Sequence, residues 1–539
     1  MAASSSAPSA RIWLLPLSVL TGVCVTVFVL TYMVDASRTD DPARVLSLIF
    51  HPNPEAAAST LANAGEIVAA VLAIALTVVA IIVELASNRY THRVTELFVS
   101  EPVNFLVMGL FVVTALQGVW VNMTFDNPGA VGGFVPYMGI GVSMALLTAC
   151  LLVLLPYFNF VFAYLNPIQI VHRIRAHTLA AIVDQKDPGA AQREAIRGVE
   201  QLADVALNAM EHRDKGVSMA SINALCSLVR DYQRAREELP EAWFEIGEDL
   251  AANPDFVSMD PMTLSKLTSE QVWFEMKVLR QYQMVYSEAL HRIRDMNYVI
   301  AINTRKLAEA AAAANNRPLL HVLIKFFNTY LRAAINAKDV RTAYNVFNQY
   351  RRLAESLLDL NDGFYAGEIA RYFKHYGLIS FNARLPFILE TVAYDMCGLC
   401  ELAADRGAPV LDELLRIFLR VDKESEGEVQ EASLRGVRKA QVKLATQFLF
   451  TGDERRARRI YDDMVDEDPS RLASIRDELH AVRSAEYWEI TDRGANFDYL
   501  PPERKACLDV FFGWFPELPP DRASFVSQLP EAPGTPGAE

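Results

Sequence analysis

Cys397-Gly-Leu-Cys400 is the arrangement with the plainest chemical potential in this chain, since two thiols at this spacing can ligate a metal or cycle through a disulfide. A structural zinc site needs four ligands, and neither a second such pair nor a neighbouring histidine pair follows. A redox pair of the thioredoxin type needs α/β surroundings, whereas the flanking pattern here is helical. Core packing on a helix is therefore the expected role. The nine histidines contain no HExxH, and His172 and His177, five apart, do not share a helix face. No phosphate loop, nucleophile elbow or dinucleotide fingerprint occurs. Arg455, Arg456, Arg458 and Arg459 form a basic cluster, but Asp453, Glu454, Asp462 and Asp463 flank it, which predicts a solvated face laced with ion pairs. These patterns predict no catalytic residue, no metal and no cofactor, and no enzyme is expected.

The remaining candidate lies in VELASNRYTHRVTELF, Val83 to Phe98, where Glu84 follows a long charge-free apolar run. An ionisable residue at the end of such a run is a functional candidate by default. Gly65, Ala69, Ala73, Thr77 and Ala80 recur at helical spacing before it, and the same stripe reaches Glu84, Ser87, Asn88 and Thr91. Small residues at this spacing let helices approach closely. Ala73, Thr77, Glu84 and Asn88 are accordingly assigned to helix packing or gating, in the chain's own bundle or at a homo-oligomer seam. Arg11 is the expected ion-pair partner of Glu84.

Four segments have the length needed to cross a bilayer: 12–34, 66–86, 103–123 and 134–164. The first is too long for a signal peptide. The last stays uncharged to Val171, so its helix is expected to tilt or to continue past the lipid, with a bend at Pro156. The spans are otherwise poor in polar groups, Gln117, Asn122 and Asn159 being the notable ones. Arg11, Arg89, Arg93, Arg173 and Arg175 fall on one side and Arg38 and Arg44 on the other, which places both termini in the cytoplasm with the first five as membrane-face anchors.

Residues 1–165 hold five Lys/Arg and nine Asp/Glu, leaving 46 and 56 in the remainder of a chain of net charge −14. That acidic balance excludes nucleic acid as the main partner. Six scattered cysteines fit a reducing compartment.

At the end of the second span the chain resembles a bacterial four-span "predicted membrane protein" family of unknown function, whose second span ends L-A-S-S-x-F-S-P-R. Leu85, Ala86, Ser87 and Arg93 match that pattern, and His92 stands where the family has proline. Gln201 to Met210 resembles the family's Q-L-x-D-I-A-x-x-A-L helix, whereas Glu211 to Gly216 departs from the S-P-x-x-N-D-P-x-T-A turn that follows it. The resemblance covers about residues 10–235 and implies an inner-membrane, multi-pass architecture without an activity.

Beyond the spans, helical periodicity continues without two-residue alternation, so no strands are expected. Ala337-Lys-Asp-Val-Arg-Thr-Ala343 resembles Thr451-Gly-Asp-Glu-Arg-Arg-Ala457, each a turn followed by alanine, as tetratricopeptide-type helix pairs begin. The expected fold is an all-α membrane protein: a disordered start (1–11), a four-helix membrane domain (12–165), a membrane-proximal helical segment (166–238), a cytoplasmic helical-repeat domain (239–515) and a disordered Pro-rich tail (516–539). An irregular solenoid of helix pairs is favoured for 239–515, with a compact bundle as the competing arrangement. The expected function is an inner-membrane protein interaction scaffold with the lipid bilayer and an unidentified protein as partners. An oligomeric channel or transporter gated by the cytoplasmic domain is the alternative.

Overall fold

The computed structural model describes residues 10–37, 54–89, 95, 98–99, 101–124, 135–184, 187–421, 428–486, 493–494, 496–516 and 518. The expectations for Arg38, Arg44, Arg93, the loop around Asp126, residues 1–9 and the tail beyond 518 lie outside them. All regular structure among the described residues is helical, and the chain divides into two compact units at His177/Thr178.

The N-terminal unit contains α1 (Ala10–Ala36), α2 (Pro54–Arg89), α3 (Pro102–Met123) and α4 (Tyr137–Tyr164). α3 packs on both α2 and α4, and α1 packs on α4. Three stretches are long and apolar enough to cross a membrane: Ala58–Asn88, Pro102–Met123 and Tyr137–Tyr164. In α1 the described apolar stretch is shorter, Thr21–Val34. Large apolar side chains such as Ile74, Phe105, Leu106 and Met138 point outward, as a lipid-facing surface requires.

Two helix boundaries differ from expectation. α2 begins at Pro54, twelve residues before the expected span, because proline suits a first turn and the Ala/Ser-rich stretch after it favours helix. α4 does not continue into the residues after its span. It stops at Tyr164, and a new helix α5 (Pro167–Val183) starts with Pro167, which lacks the N–H a continuing helix needs, while the Asn166 side chain accepts from Ile168 N at 3.0 Å. Pro156 sits inside α4 without ending it.

The C-terminal unit continues through α6 (Pro188–Glu211), α7 (Lys215–Ala235), α8 (Pro261–Ser269), α9 (Trp273–Ala289), α10 (Asp295–Ala313), α11 (Arg317–Asn336), α12 (Val340–Ser356), α13 (Phe364–Asn382), α14 (Pro386–Asp405), α15 (Leu411–Phe418), α16 (Glu428–Phe450), α17 (Glu454–Met464), α18 (Pro469–Ala481) and α19 (Pro502–Phe512). Neighbours in sequence pair, and the pairs stack into two rows. α6, α9, α11, α13 and α15 follow one another in the first row, and α7, α10, α12, α14 and α16 in the second. Residues 178–238 therefore pack as part of this larger unit.

One turn recurs at the joints. Arg213, Asn315, Lys338 and Gly452 all take positive φ, between 52° and 80°. The residue after each (Asp214, Asn316, Asp339, Asp453) donates its N–H to a carbonyl five residues back at 2.7–3.0 Å, closing the ending helix. The same residue's side chain accepts from the N–H three residues on, at 3.1–3.2 Å, opening the next helix. The likeness of Ala337–Ala343 to Thr451–Ala457 is this turn, with Ala343 and Ala457 fully buried behind it. Glu211–Gly216, which departs from the family's motif, makes the same turn through Arg213 and Asp214.

Hydroxyls of buried tyrosines bind helices across the stack. Tyr282 donates to Ile222 O at 2.7 Å and Tyr286 to Tyr330 O at 3.2 Å. Tyr350 stacks on Phe327 at 4.7 Å between ring centroids.

The turn generates opposed predictions for adjacent residues. Lys338 holds positive φ on the surface, so Lys338→Gly relieves about 1 kcal/mol and raises the unfolding temperature. Asp339→Ala removes the cap and a 3.2 Å ion pair to Arg294, lowering stability by about 1–2 kcal/mol. Thermal unfolding of the two full-length variants in detergent checks the signs.

Candidate functional site

The sequence-predicted site on α2 is open on the chain's own surface. Leu61, Ala64, Val68, Ala75, Val79, Val83 and Ser87 form the buried face of the helix, while Ala69, Ala73, Thr77, Ala80, Glu84 and Asn88 are exposed. Among the described residues the stripe from Ala69 to Asn88 therefore lies on the outer face of the helix, apart from the buried Ser87. Ala64 and Ala75 share the inner face with Leu61, Val68, Val79 and Val83, so side-chain size alone does not sort the two faces. The Thr77 hydroxyl is turned back onto Ala73 O at 2.8 Å. Of the anchors, Arg11 and Arg89 lie in α1 and α2, their side chains outside the described set. Arg173 and Arg175 are half-buried on α5, and the Arg173 guanidinium lies 3.5 Å from the centre of the Tyr164 ring, a cation–π contact.

Sequence reading missed the polar contacts that fasten α3 to α4. The Asn104 amide donates to Phe98 O at 2.5 Å and accepts from the Tyr157 hydroxyl at 3.2 Å. Thr114 and Cys150 meet at 3.2 Å. By contrast, Asn122 and Asn159, which stood out in the sequence, are exposed.

In the C-terminal unit, Cys397 and Cys400 are buried on α14, and burial pushes both thiols well above their usual range, away from thiolate chemistry. The arginine cluster on α17 is tied down by α15. Asp412 accepts from Arg456 at 3.0 Å and Arg459 at 2.8 Å, and Arg458 pairs with Glu454 at 3.2 Å. Hydrogen bonding to Arg456 holds the Asp412 carboxyl below its usual range.

Two buried charged groups had no distinctive motif. Lys277 on α9 is fully buried, and its ammonium contacts Glu200 on α6 at 2.6 Å, Asn253 at 2.9 Å and Asp255 at 2.5 Å, locking the 253–255 loop between two helices. Nearby, Glu275 is fully buried, with Gln233 donating to Oε1 and Oε2 making no hydrogen bond. Burial pushes its carboxyl up to about 7, with the Arg236 charge drawing it back part way.

The geometry closest to recognition lies on the second row. A non-helical segment of the chain itself, Arg493 to Leu500, lies along α12, α14 and α16. Arg493 forks onto Asp395 of α14, donates to Tyr344 O of α12 at 3.2 Å and stacks on the Tyr344 ring at 4.3 Å. Phe497 stacks on Tyr394 at 4.8 Å. Asp498 accepts from the Tyr394 hydroxyl and from Lys439 of α16 at 2.8 Å, and Leu500 is fully buried. Three helices of the row thus hold Arg493 and the turn at Asn496–Tyr499 by a charged fork, an aromatic stack and an ion pair. Such contacts between residues about 100 apart leave no local signal in sequence.

Two outcomes follow. An unfolded chain ionises Glu275 near pH 4.5, while the folded one keeps its proton to about pH 7. Stability is therefore complete below pH 4.5 and falls by about 3 kcal/mol as pH rises through that window. Glu275→Gln flattens the fall, and parallel pH profiles of the two unfolding temperatures would contradict the assignment. Arg493→Ala leaves Asp395 buried without its fork and frees the segment, so amide exchange at Asn496–Leu500 rises at least tenfold while α9–α11 keep their protection.

No curated protein matches the chain. Among solved structures, a "Circular tandem repeat protein with novel repeat topology and enhanced subunit contact surfaces" aligns over 69% of this chain and 85% of its own, at 16% identity and a TM-score of 0.29, too low to define a shared fold. The family match stops short of the 235 residues over which the sequence resemblance runs, taking in only the first four residues of the Gln201–Met210 helix. Residues 9–204 match the family described as "Predicted membrane protein (DUF2254)", a family without a known function, and that match, with three helices long and apolar enough to cross a membrane, marks the N-terminal part of this chain as membrane-embedded.

Proposed function

We propose that this is a multi-pass inner-membrane protein, not an enzyme, whose helical-repeat domain serves as a cytoplasmic scaffold for a protein partner. In this reading α1 is the first of four spans, both termini face the cytoplasm, and the paired helices from α6 onward form an irregular tetratricopeptide-like solenoid. The observation that carries the reading is the row α12–α14–α16 holding Arg493–Leu500. A face that grips one loop segment through a buried carboxylate, an aromatic ring and a lysine has the chemistry to grip another. Two rows of stacked helices also expose more side surface per residue than a compact bundle does.

The alternative, an oligomeric channel or transporter, draws on the exposed stripe of α2. Ala69, Ala73, Thr77 and Ala80 allow close approach of a second copy, with Glu84 and Asn88 at one end. The spans otherwise offer few charges for a conduction path.

One pair of measurements separates the two. The full chain in detergent captures the same protein reproducibly from a lysate, and a chain cut after residue 238 does not. In liposomes the full chain gives no flux under ion gradients or voltage, with or without Glu84→Ala. Capture of nothing, together with flux that Glu84→Ala reduces, would replace the scaffold by the channel.

A further inference from the structure

We infer that the cleft between α13 and α15 is a binding site for a multiply charged, phosphate-bearing ligand. This goes beyond the scaffold reading and stands on different residues. Arg371, Lys374 and His375 lie on one face of α13, with Arg416 on α15 and Arg420 in the turn after it, around a cavity of about 440 Å³. Leu378 and Ile417 supply an apolar floor.

The charge balance of the cleft is unlike that of its surroundings. In a chain of net charge −14, four permanent cations converge here. Glu413 answers part of this, at 3.2 Å from Arg371 and 3.7 Å from Arg416. Among the described residues, the side chains of Lys374 and Arg420 have no ion-pair or hydrogen-bond partner. The neighbouring arginines of α17 are treated differently by the fold, since Asp412, Asp453 and Glu454 neutralise them. Arg371 and Lys374 are three apart on one helix, and like charges at that spacing cost each helix a few tenths of a kcal/mol. The fold gains nothing visible from that repulsion, whereas an anion in the cleft would turn it into attraction.

The class of anion follows from the donors. Guanidinium groups present paired N–H donors that match phosphate oxygens two at a time, and ammonium adds a point charge. Among the described residues, one carboxylate against four cations leaves an excess of three charges, which suits a ligand carrying two or more. The cavity volume suits a small organic phosphate rather than a nucleic-acid strand. The apolar floor fits either a soluble phosphate ester or the glycerol region of a phospholipid headgroup.

The test uses the full chain in nanodiscs of neutral phosphatidylcholine. Calorimetry follows two probes at constant ionic strength, inorganic triphosphate and water-soluble dihexanoyl phosphatidic acid, with sulfate as the control salt. Arg416→Ser/Arg420→Ser is the matched variant, because both side chains are exposed and their loss spares the core. Binding of at least one probe, weakened roughly tenfold or more in the variant and falling with added salt, is expected. Tighter binding of triphosphate indicates a soluble phosphate ligand, and tighter binding of the phosphatidic acid indicates a lipid headgroup. No binding of either probe, binding no stronger than sulfate, or equal binding by the variant overturns the site. An unchanged unfolding temperature of the variant shows that lost binding is not lost folding.

Discussion

Everything in the C-terminal unit rests on how one helix is allowed to end and the next to begin. A helix leaves its last carbonyls and first N–H groups without partners, and in a stack of helices those ends sit against other protein. The recurring turn settles both ends with two residues. A positive-φ residue reverses the chain, and the Asp or Asn after it closes the old helix with its backbone and opens the new one with its side chain. Because the turn is so short, successive helices must lie antiparallel and adjacent, and pairing becomes automatic. Three of the four positive-φ residues are not glycine, so packing of the flanking helices outweighs the local cost of that backbone.

With pairing set locally, polar side chains inside the stack determine which surfaces meet. Lys277 gathers Glu200, Asn253 and Asp255, and Asp395 gathers Arg351 and Arg493. Each is affordable only because its partners converge on it, and each fixes a register that apolar contacts alone would leave slack. Glu275 is the exception. It has one side-chain donor and an unbonded oxygen, and burial answers by raising its affinity for a proton. The membrane unit uses the same economy at smaller scale, with Asn104 and Thr114 joining α3 to α4 where no water can serve.

Function, as far as the geometry supports it, sits where the fold leaves chemistry unspent. α2 buries the face that carries Val68, Val79 and Val83 and shows Ala69, Ala73, Thr77 and Ala80 outward among larger apolar side chains. The second row already holds Arg493 and Asn496–Leu500 of the chain itself. The α13–α15 cleft gathers four cations, and Glu413 pairs with two of them, Arg371 and Arg416.

Sequence by itself determined the class of the protein, because that class depends on local quantities. Spans follow from runs of apolar residues, helices from periodicity and the absence of strand alternation, and the family likeness from short motifs in the first 204 residues. The paired turn was half legible, as the likeness of Ala337–Ala343 to Thr451–Ala457, because Asp at a cap is a local preference. It went unseen at Arg213-Asp214, where a positive φ on arginine gives no compositional sign. The break at Asn166-Pro167 was written in the proline but masked by the uncharged run around it. The tertiary structure alone decided which face of α2 is buried, since Val68 and Val79 compete with Ala69 and Ala80 only when α3 is there to receive them. It alone placed Arg493 on Asp395 and set Arg371 opposite Arg416, because convergence of residues distant in sequence depends on packing, and packing is a property of all the helices at once.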